Sequence, residues 1–321
     1  MKDVCNEPLM VTVRCLTYNQ EGFIRQCLEG FVMQRTNFRF EATVHDDAST
    51  DGTAAIIREY AEKYPDIIKP LYETENQYSK HDGSLSRIMD AHTHGKYIAL
   101  CEGDDYWTDP LKLQKQVDFM EAHPECSLTY HACKNVFEDG CTDVRAFGEE
   151  VSETCSLKKL MKYPFQTSSV LFRKEVLIDN ALYKKAIATG CLSGDEILFL
   201  TAYRMGTIRG VNEQMSVYRR HPQGVSQKMH DADKMWDNFN GWLRLVKVYG
   251  GDIGRQIQKR RLRKYIYQAY TCKDYALFRK MLRACAAKAP MTILHTIPYM
   301  LRHPMRRFAK MLARPFTSKQ Q

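Results

Sequence analysis

Short apolar runs alternate with helical patterns from the N-terminus to about residue 123, and this alternation constrains the fold more than any other feature. Met10–Leu16 (M-V-T-V-R-C-L), Phe40–Val44, Ile67–Tyr72 and Tyr97–Cys101 (Y-I-A-L-C) are predicted strands. Between them, Gly22–Met33 sets Phe23, Cys27, Leu28 and Phe31 at helical spacing. Thr50 or Asp51 can cap a helix from Gly52 to about Lys63, with Ala55, Ile56 and Tyr60 on its inner face. Ser84–His92 is predicted helical. Asp109-Pro110 opens a further helix, with proline at its first position, that runs to about His123. This βαβα order calls for a parallel sheet with helices on both faces.

The pattern then loosens. Cys126–Phe137 reads as one or two strands, Asp139-Gly140 as a turn and Asp143–Ser156 as a polar loop. Thr167–Phe172 is a predicted strand, Ser193–Met205 a helix, and Thr207–Val211 and Met215–Arg219 two short strands. From His230 onward the periodicity is helical: Ala232–Val248, Arg255–Tyr270, Asp274–Ala287 and Met291–Leu312, the last broken by Pro298 and Pro304. Tyr249-Gly250-Gly251-Asp252 is the expected boundary between a body of residues 1–250 and a helical region of residues 251–321.

Charge divides at nearly the same place. The formal net charge is +9. Residues 255–321 hold 17 Lys+Arg and a single acid, Asp274, a net +16. Residues 1–254 hold 30 basic and 37 acidic residues, a net −7. The basic surplus therefore belongs to the C-terminal region and says little about the body.

In an open α/β sheet, ligands bind beyond the carboxyl ends of the strands. After the first strand stands Thr17-Tyr18-Asn19-Gln20-Glu21, after the second Asp46-Asp47, and after the fourth Glu102-Gly103-Asp104-Asp105-Tyr106-Trp107. Two of these loops are strongly acidic. Crowded carboxylates suit a hard divalent cation such as Mg²⁺ or Mn²⁺, which keeps open positions for phosphate oxygens; the same residues also suit a turn that caps the next helix. No G-x-G-x-x-G follows the first strand and no G-x-x-x-x-G-K-[ST] occurs, so the glycine cradles of dinucleotide and P-loop sites are missing.

V-T-V-R-C-L-T-Y-N-Q, H-D-D-A-S-T-D-G-T and E-G-D-D-Y-W-T-D-P, in this order and spacing, resemble the family 2 glycosyltransferases of GT-A fold. S-G-D-E-I-L-F-L and M-S-V-Y-R-R-H-P-Q-G-V-S extend the likeness to about residue 226. The resemblance implies an α/β fold with a mostly parallel central sheet flanked by helices, followed by the basic helical extension. It implies that Thr17, Asn19 and Glu21 line a nucleotide pocket, that Asp47 binds the base with Ser49 beside it, and that Arg87 lies near the diphosphate. Glu102-Gly103-Asp104 takes the D-x-D position, with Glu replacing the first Asp. Asp104 is the implied metal ligand, Asp105 its support, and His221 a histidine near metal and diphosphate. Asp195 matches the catalytic base. It also stands just inside a helix start, where a carboxylate caps and offsets the dipole, and Glu196 competes with it.

The implied activity is inverting sugar transfer from a nucleotide-diphosphate donor to a hydroxyl of a glycan or lipid-linked acceptor in surface polysaccharide assembly, with Mn²⁺ or Mg²⁺ as cofactor. Arg219 and Arg220 can neutralise phosphate beside His221. A nucleotidyltransferase would carry a glycine-rich basic loop after the first strand. A nucleic-acid-binding protein would have no need of the acidic loops, so nucleic acid is not an expected partner. The mixture of apolar and basic residues in Met291–Leu312 suits an anionic membrane surface, with helices packed on the body as the alternative.

Eleven scattered cysteines without a C-x-x-C read as reduced thiols. Met1–Pro8 has no apolar core of a secretory signal, and no run approaches 18 apolar residues. The expectation is a cytoplasmic protein, peripheral on the inner face of the membrane.

Overall fold

The computed structural model describes residues 8–138, 151, 153–224 and 232–300. The chain forms two compact units: Met1–Tyr183 with Asp195–Gln227, and Lys184–Gly194 with Lys228–Gln321. The first contains an eight-stranded sheet and all the acidic loops.

β1 (Leu9–Thr17) is the spine of that sheet. Val11, Val13 and Cys15 point to one face, packed with Ile24, Cys27, Leu28 and Phe31 of α1 (Ile24–Val32). Thr12 and Arg14 point to the other. The Thr12 hydroxyl accepts from the N–H groups of His94 and Gly95 at 3.1 and 2.9 Å, and Arg14 pairs with Asp90 at 2.8 Å. Both faces of β1 are covered, which is why it reads as a nearly continuous apolar run. β2 (Arg39–Asp46), β3 (Ile68–Tyr72) and β4 (Tyr97–Leu100) complete a parallel half, with α2 (Thr53–Lys63) and α3 (Ser84–Ala91) in the crossovers.

The other half is mixed. β5 (Tyr106–Trp107) precedes α4 (Lys112–Ala122), and β6 (Cys126–Phe137) is one long strand. α5 (Leu157–Leu160), β7 (Leu171–Arg173), α6 (Ala181–Ile187), α7 (Gly194–Met205) and β8 (Thr207–Arg220) follow. The sheet order is β3-β2-β1-β4-β7-β6-β8-β5; β7 is antiparallel to β4 and β6, and β5 to β8. The α/β architecture and the element order of the parallel half are those expected; β5, α5 and α6 are additional, and the strand expected over Thr167–Phe172 is only Leu171–Arg173.

Four further local expectations change. Phe23 leaves the core: Ile24 takes the inward position, and the Phe23 ring lies 4.8 Å from that of His221. The inner face of α2 is Thr53, Ile57 and Tyr60 rather than Ala55, Ile56 and Tyr60, because the Thr53 hydroxyl accepts the Gln20 N–H at 2.8 Å and turns the helix start inward. α4 starts at Lys112, since Asp109 takes the Leu111 N–H at 2.7 Å and holds Pro110 outside the helix. The two short strands expected between Thr207 and Arg219 are one strand, β8, whose register against β6 shifts near His131–Cys133. The expected turn at Asp139-Gly140, most of the loop Asp143–Ser156, and the chain from 301 onward lie outside the described residues.

In the second unit, α8 (Ala232–Tyr249) buries Phe239, Trp242, Leu243 and Leu245. α9 (Gly251–Gln256), a π-wound turn (Ile257–Leu262) and α10 (Arg263–Thr271) form one run, followed by α11 (Tyr275–Lys288). Ile257, Leu262, Ile266, Met281 and Cys285 supply the apolar counterpart. α8 therefore groups with the helices after Gly250 rather than with the body before it. Residues 291–300 form a further helix, α12. Among the described residues no helix is long and apolar enough to cross a membrane.

Candidate active site

The loops after β1 and β2 are clasped to each other. Asn19 donates its backbone N–H to the Ser49 hydroxyl at 2.9 Å, and its side-chain Oδ1 accepts the Thr50 N–H at 2.8 Å. Asn19 sits at φ 52°, a left-handed conformation that asparagine tolerates well. Glu21 accepts the Gly52 N–H at 2.7 Å, and its own N–H goes to Asp51 at 3.1 Å. Gly52 immediately precedes α2, so Glu21 satisfies a backbone donor that the helix leaves open. Asn19, Glu21 and Ser49 thus come together as expected, and their polar groups hold the rim in shape.

Asp47 is buried at 5% exposure, and its two carboxylate oxygens accept the Gln77 and Tyr78 N–H groups at 2.6 and 3.0 Å. It anchors the turn at Tyr78–Lys80. Its neighbour Asp46 lies opposite Thr17 in the β1–β2 register and keeps one buried oxygen without a hydrogen-bond partner, as does the Thr17 hydroxyl. Unsatisfied buried acceptors are rare and mark places where a further donor is accommodated. Sequence reasoning selected Asp47 and passed over Asp46. Arg87 is 68% exposed and turns to Asp82, donating to its carbonyl at 2.9 Å.

The Glu102–Trp107 loop is stapled between the two halves of the sheet. Gly103 donates its N–H to Leu16 at 3.0 Å; a Cβ there would lie 2.4 Å from the Gln20 side-chain oxygen and 2.9 Å from the Thr17 hydroxyl. Only glycine lets this loop approach β1 so closely. β5 then pairs antiparallel with β8, Tyr106 opposite Val217, and this register brings Asp104 and Asp105 beside Arg219 and His221. His221 Nε2 lies 2.9 Å from Asp104 Oδ2, and Nδ1 lies 3.1 Å from Gln223. The hydrogen bond to Asp104 raises the His221 pKa, against the opposing effect of burial. Arg219 donates to the Asp104 carbonyl at 2.9 Å and to Gln26 at 2.5 Å, between the rings of Phe23 and Tyr106 at 4.8 and 4.9 Å.

Asp105 is turned inward. It is 1% exposed, its Oδ1 accepts the Arg219 N–H at 2.8 Å, and burial among the charges of Asp104 and Glu102 pushes its pKa well up. It holds β8 from inside. Glu102 accepts from the Thr167 hydroxyl at 2.7 Å. Burial pushes its pKa up to about 7, with smaller contributions from the charges of Asp104 and Asp195.

Asp195 stands in the first turn of α7. Its Oδ1 accepts the Glu196 N–H at 2.8 Å, and its Oδ2 accepts the Tyr163 hydroxyl. Glu196 is thereby a backbone donor to Asp195, and Asp195 is the carboxylate that Tyr163 engages. Tyr163 is a residue that sequence reasoning missed. It sits at φ 58° before Pro164, against Phe199 at 5.9 Å between ring centroids, and burial beside Asp195 raises its pKa strongly. The one available signal was its place before a proline, which does not specify a partner 32 residues away.

Asp104 and His221 offer a carboxylate and an imidazole, donor types that ligate divalent cations. The Asp104–His221 distance of 2.9 Å is that of the hydrogen bond between them. Among the described residues no group of three or more acidic, histidine or cysteine ligands gathers. A two-ligand set suits an ion completed by phosphate oxygens and water.

Residues 13–177, more than half of the chain, match the family described as Glycosyl transferase family 2. The chain belongs to glycosyl transferase family 2. The E-G-D loop and the clasped rim fall inside the matched stretch; Asp195, Arg219 and His221 lie beyond it. A relative of this family 2 chain, an uncharacterised protein of Mycobacterium tuberculosis, is 37% identical over 71% of this chain and 64% of its own length. The chain therefore spans less than two thirds of that relative. An amylovoran biosynthesis glycosyltransferase of Erwinia amylovora is 27% identical over 54% of this chain and 64% of its own length. The fold is that of TarS from S. aureus, solved with UDP-GlcNAc: the TM-score is 0.67 at 15% identity, over 89% of this chain and 84% of that one. This family 2 chain has the GT-A architecture expected of its members.

Proposed function

We propose that this family 2 glycosyltransferase moves a sugar from a nucleotide-diphosphate donor to a hydroxyl of a glycan or lipid-linked acceptor, with inversion, in surface polysaccharide assembly at the cytoplasmic face of the membrane. The observation that carries the reading is the acidic group at the strand ends: Asp104 meets His221 at 2.9 Å, and the charge of Asp195 is felt by the adjoining Glu102. The polysaccharide role of the Erwinia relative and the nucleotide sugar bound to TarS support it.

Asp195 takes the proton of the attacking hydroxyl as general base. Tyr163 and the Glu196 N–H fix its two oxygens, so the carboxylate is aimed before the acceptor arrives. Mn²⁺ or Mg²⁺ held by Asp104 and His221 would supply Lewis-acid neutralisation of the leaving diphosphate. Arg219, packed between Phe23 and Tyr106, holds the Asp104 backbone in position. Thr17, Asp46 and Asp47 form the end of the rim where the nucleoside is received, and Asn19, Glu21 and Ser49 keep that end in shape. One base with direct attack by the acceptor hydroxyl makes a single displacement, by analogy with the inverting hydrolases.

The test is turnover across UDP- and GDP-sugars with Mn²⁺ and glycan or lipid-linked acceptors. Asp195→Asn is expected to reduce kcat by about 10²–10⁴ with donor binding retained. Near-wild-type transfer by that protein would remove Asp195 from the role.

A further inference from the structure

α12 is amphipathic with its polarity reversed. Its buried positions are Thr292 and Thr296, at 0% and 1% exposure, and the Thr296 hydroxyl returns to the Thr292 carbonyl at 2.7 Å. Its exposed positions are Met291, Leu294 and Ile297, at 48%, 62% and 55%. At about 100° per residue these three, with exposed Pro298, fall within an arc of about 120°. Scattered exposed apolar residues need no explanation, but three on one stripe of one helix, opposite a pair of buried threonines, form a surface.

The charge around the stripe is of one sign. His295 and Tyr299 flank it, and the Arg263 guanidinium lies 3.9 Å from the Tyr299 ring centroid. Burial lowers the His295 pKa, and the charges of Lys259 and Arg263 add to that effect. Lys288 is exposed one turn before Met291. From Arg255 to Met300 there are 11 Lys+Arg and one acid, Asp274, whose carboxylate caps α11 through the Leu277 N–H at 2.9 Å. An apolar stripe edged by cations and nearly free of carboxylates matches the interfacial region of an anionic bilayer. There the side chains enter the acyl boundary and the cations meet lipid phosphates.

We propose that Met291, Leu294 and Ile297 of α12, with Lys259, Arg263 and Lys288 around them, dock the protein on an anionic membrane surface. This inference is independent of the transfer chemistry, because its readout is binding rather than turnover.

The experiment is flotation of the full chain with vesicles of phosphatidylcholine alone and of phosphatidylcholine and phosphatidylglycerol in equal parts. Binding to the second and not the first is expected. Leu294→Glu/Ile297→Glu should weaken it at least about tenfold with an unchanged circular dichroism spectrum. Should that variant misfold, Lys259→Gln/Lys288→Gln addresses the surface by charge alone and should weaken binding by a similar factor, as should raised salt. Equal binding to both vesicles, or undiminished binding by folded variants, would overturn the proposal. So would a dimer in sedimentation that Leu294→Glu/Ile297→Glu converts to monomer, since a second copy would then cover the stripe.

Discussion

Single side chains decide which acids of the rim are chemically available. Asp104 and Asp105 are adjacent, yet one meets His221 and the other is turned into the protein to hold the Arg219 backbone. Asp46 and Asp47 divide similarly: Asp47 is occupied by two N–H groups, and Asp46 keeps an unpartnered oxygen. A sequence displays both members of each pair alike, because the choice depends on donors 30 to 114 positions away. Tyr163 is the sharpest case. Its hydroxyl holds one carboxylate oxygen of Asp195, so on the proposed role of Asp195 as base Tyr163→Phe should weaken the orientation of that carboxylate. The expected result is a roughly tenfold lower kcat with the donor KM little changed. An unchanged kcat, or a rise in KM alone, would make Tyr163 a packing residue only.

At the scale of elements, the long periodic pieces were legible. The helices from Gly22, Gly52, Ser84 and Ser193 and the strands of the parallel half all appear, within a residue or two, because burial follows their periodicity. β5 was not legible: two residues have no period, and Tyr106-Trp107 becomes a strand only because β8 is there to pair with it. α4 shows a cost hidden in a regular helix. Lys112 is fully buried in its first turn, its Nζ 2.7 Å from the Gln116 side-chain oxygen and 4.0 Å from the Trp107 ring centroid. Burial pushes its pKa down from 10.5 to about 7, with the Cys101 thiol nearby and the pKa of His131 lowered in part by the same lysine. The unfolded chain holds this proton more tightly than the folded one between those two values. The folded state is therefore penalised in full below about pH 7, and the penalty fades as pH rises toward 10.5. Lys112→Met should accordingly be more stable than wild type at neutral pH, with the difference shrinking toward pH 10 in urea titrations. A constant difference across that range would show that the lysine stays charged in the folded protein.

At the scale of the whole molecule, the opening charge contrast maps closely onto structure. The acids are in the first unit, at the carboxyl ends of β1, β2 and β4, and the surplus of cations is in the helices of the second. If the first unit holds a nucleoside diphosphate through Asp104 and His221, UDP or GDP with Mn²⁺ at about a hundredfold over Kd should add about 2.7 kcal/mol. That corresponds to a rise in Tm of about 5–10 °C in a domain of this size, with the metal-dependent part lost in Asp104→Ala. No shift with any nucleoside diphosphate would count against the donor site. By itself the sequence determined the fold class, the order of the elements in the parallel half and the three loops that carry the acids, because these follow from local periodicity and from where strands end. Only the tertiary structure decided which acids face outward, that Tyr163 attends Asp195, that α8 joins the second unit and that α12 turns its apolar side outward. Each of those depends on partners far away in the chain, brought together by strand pairing and helix packing that no local pattern encodes.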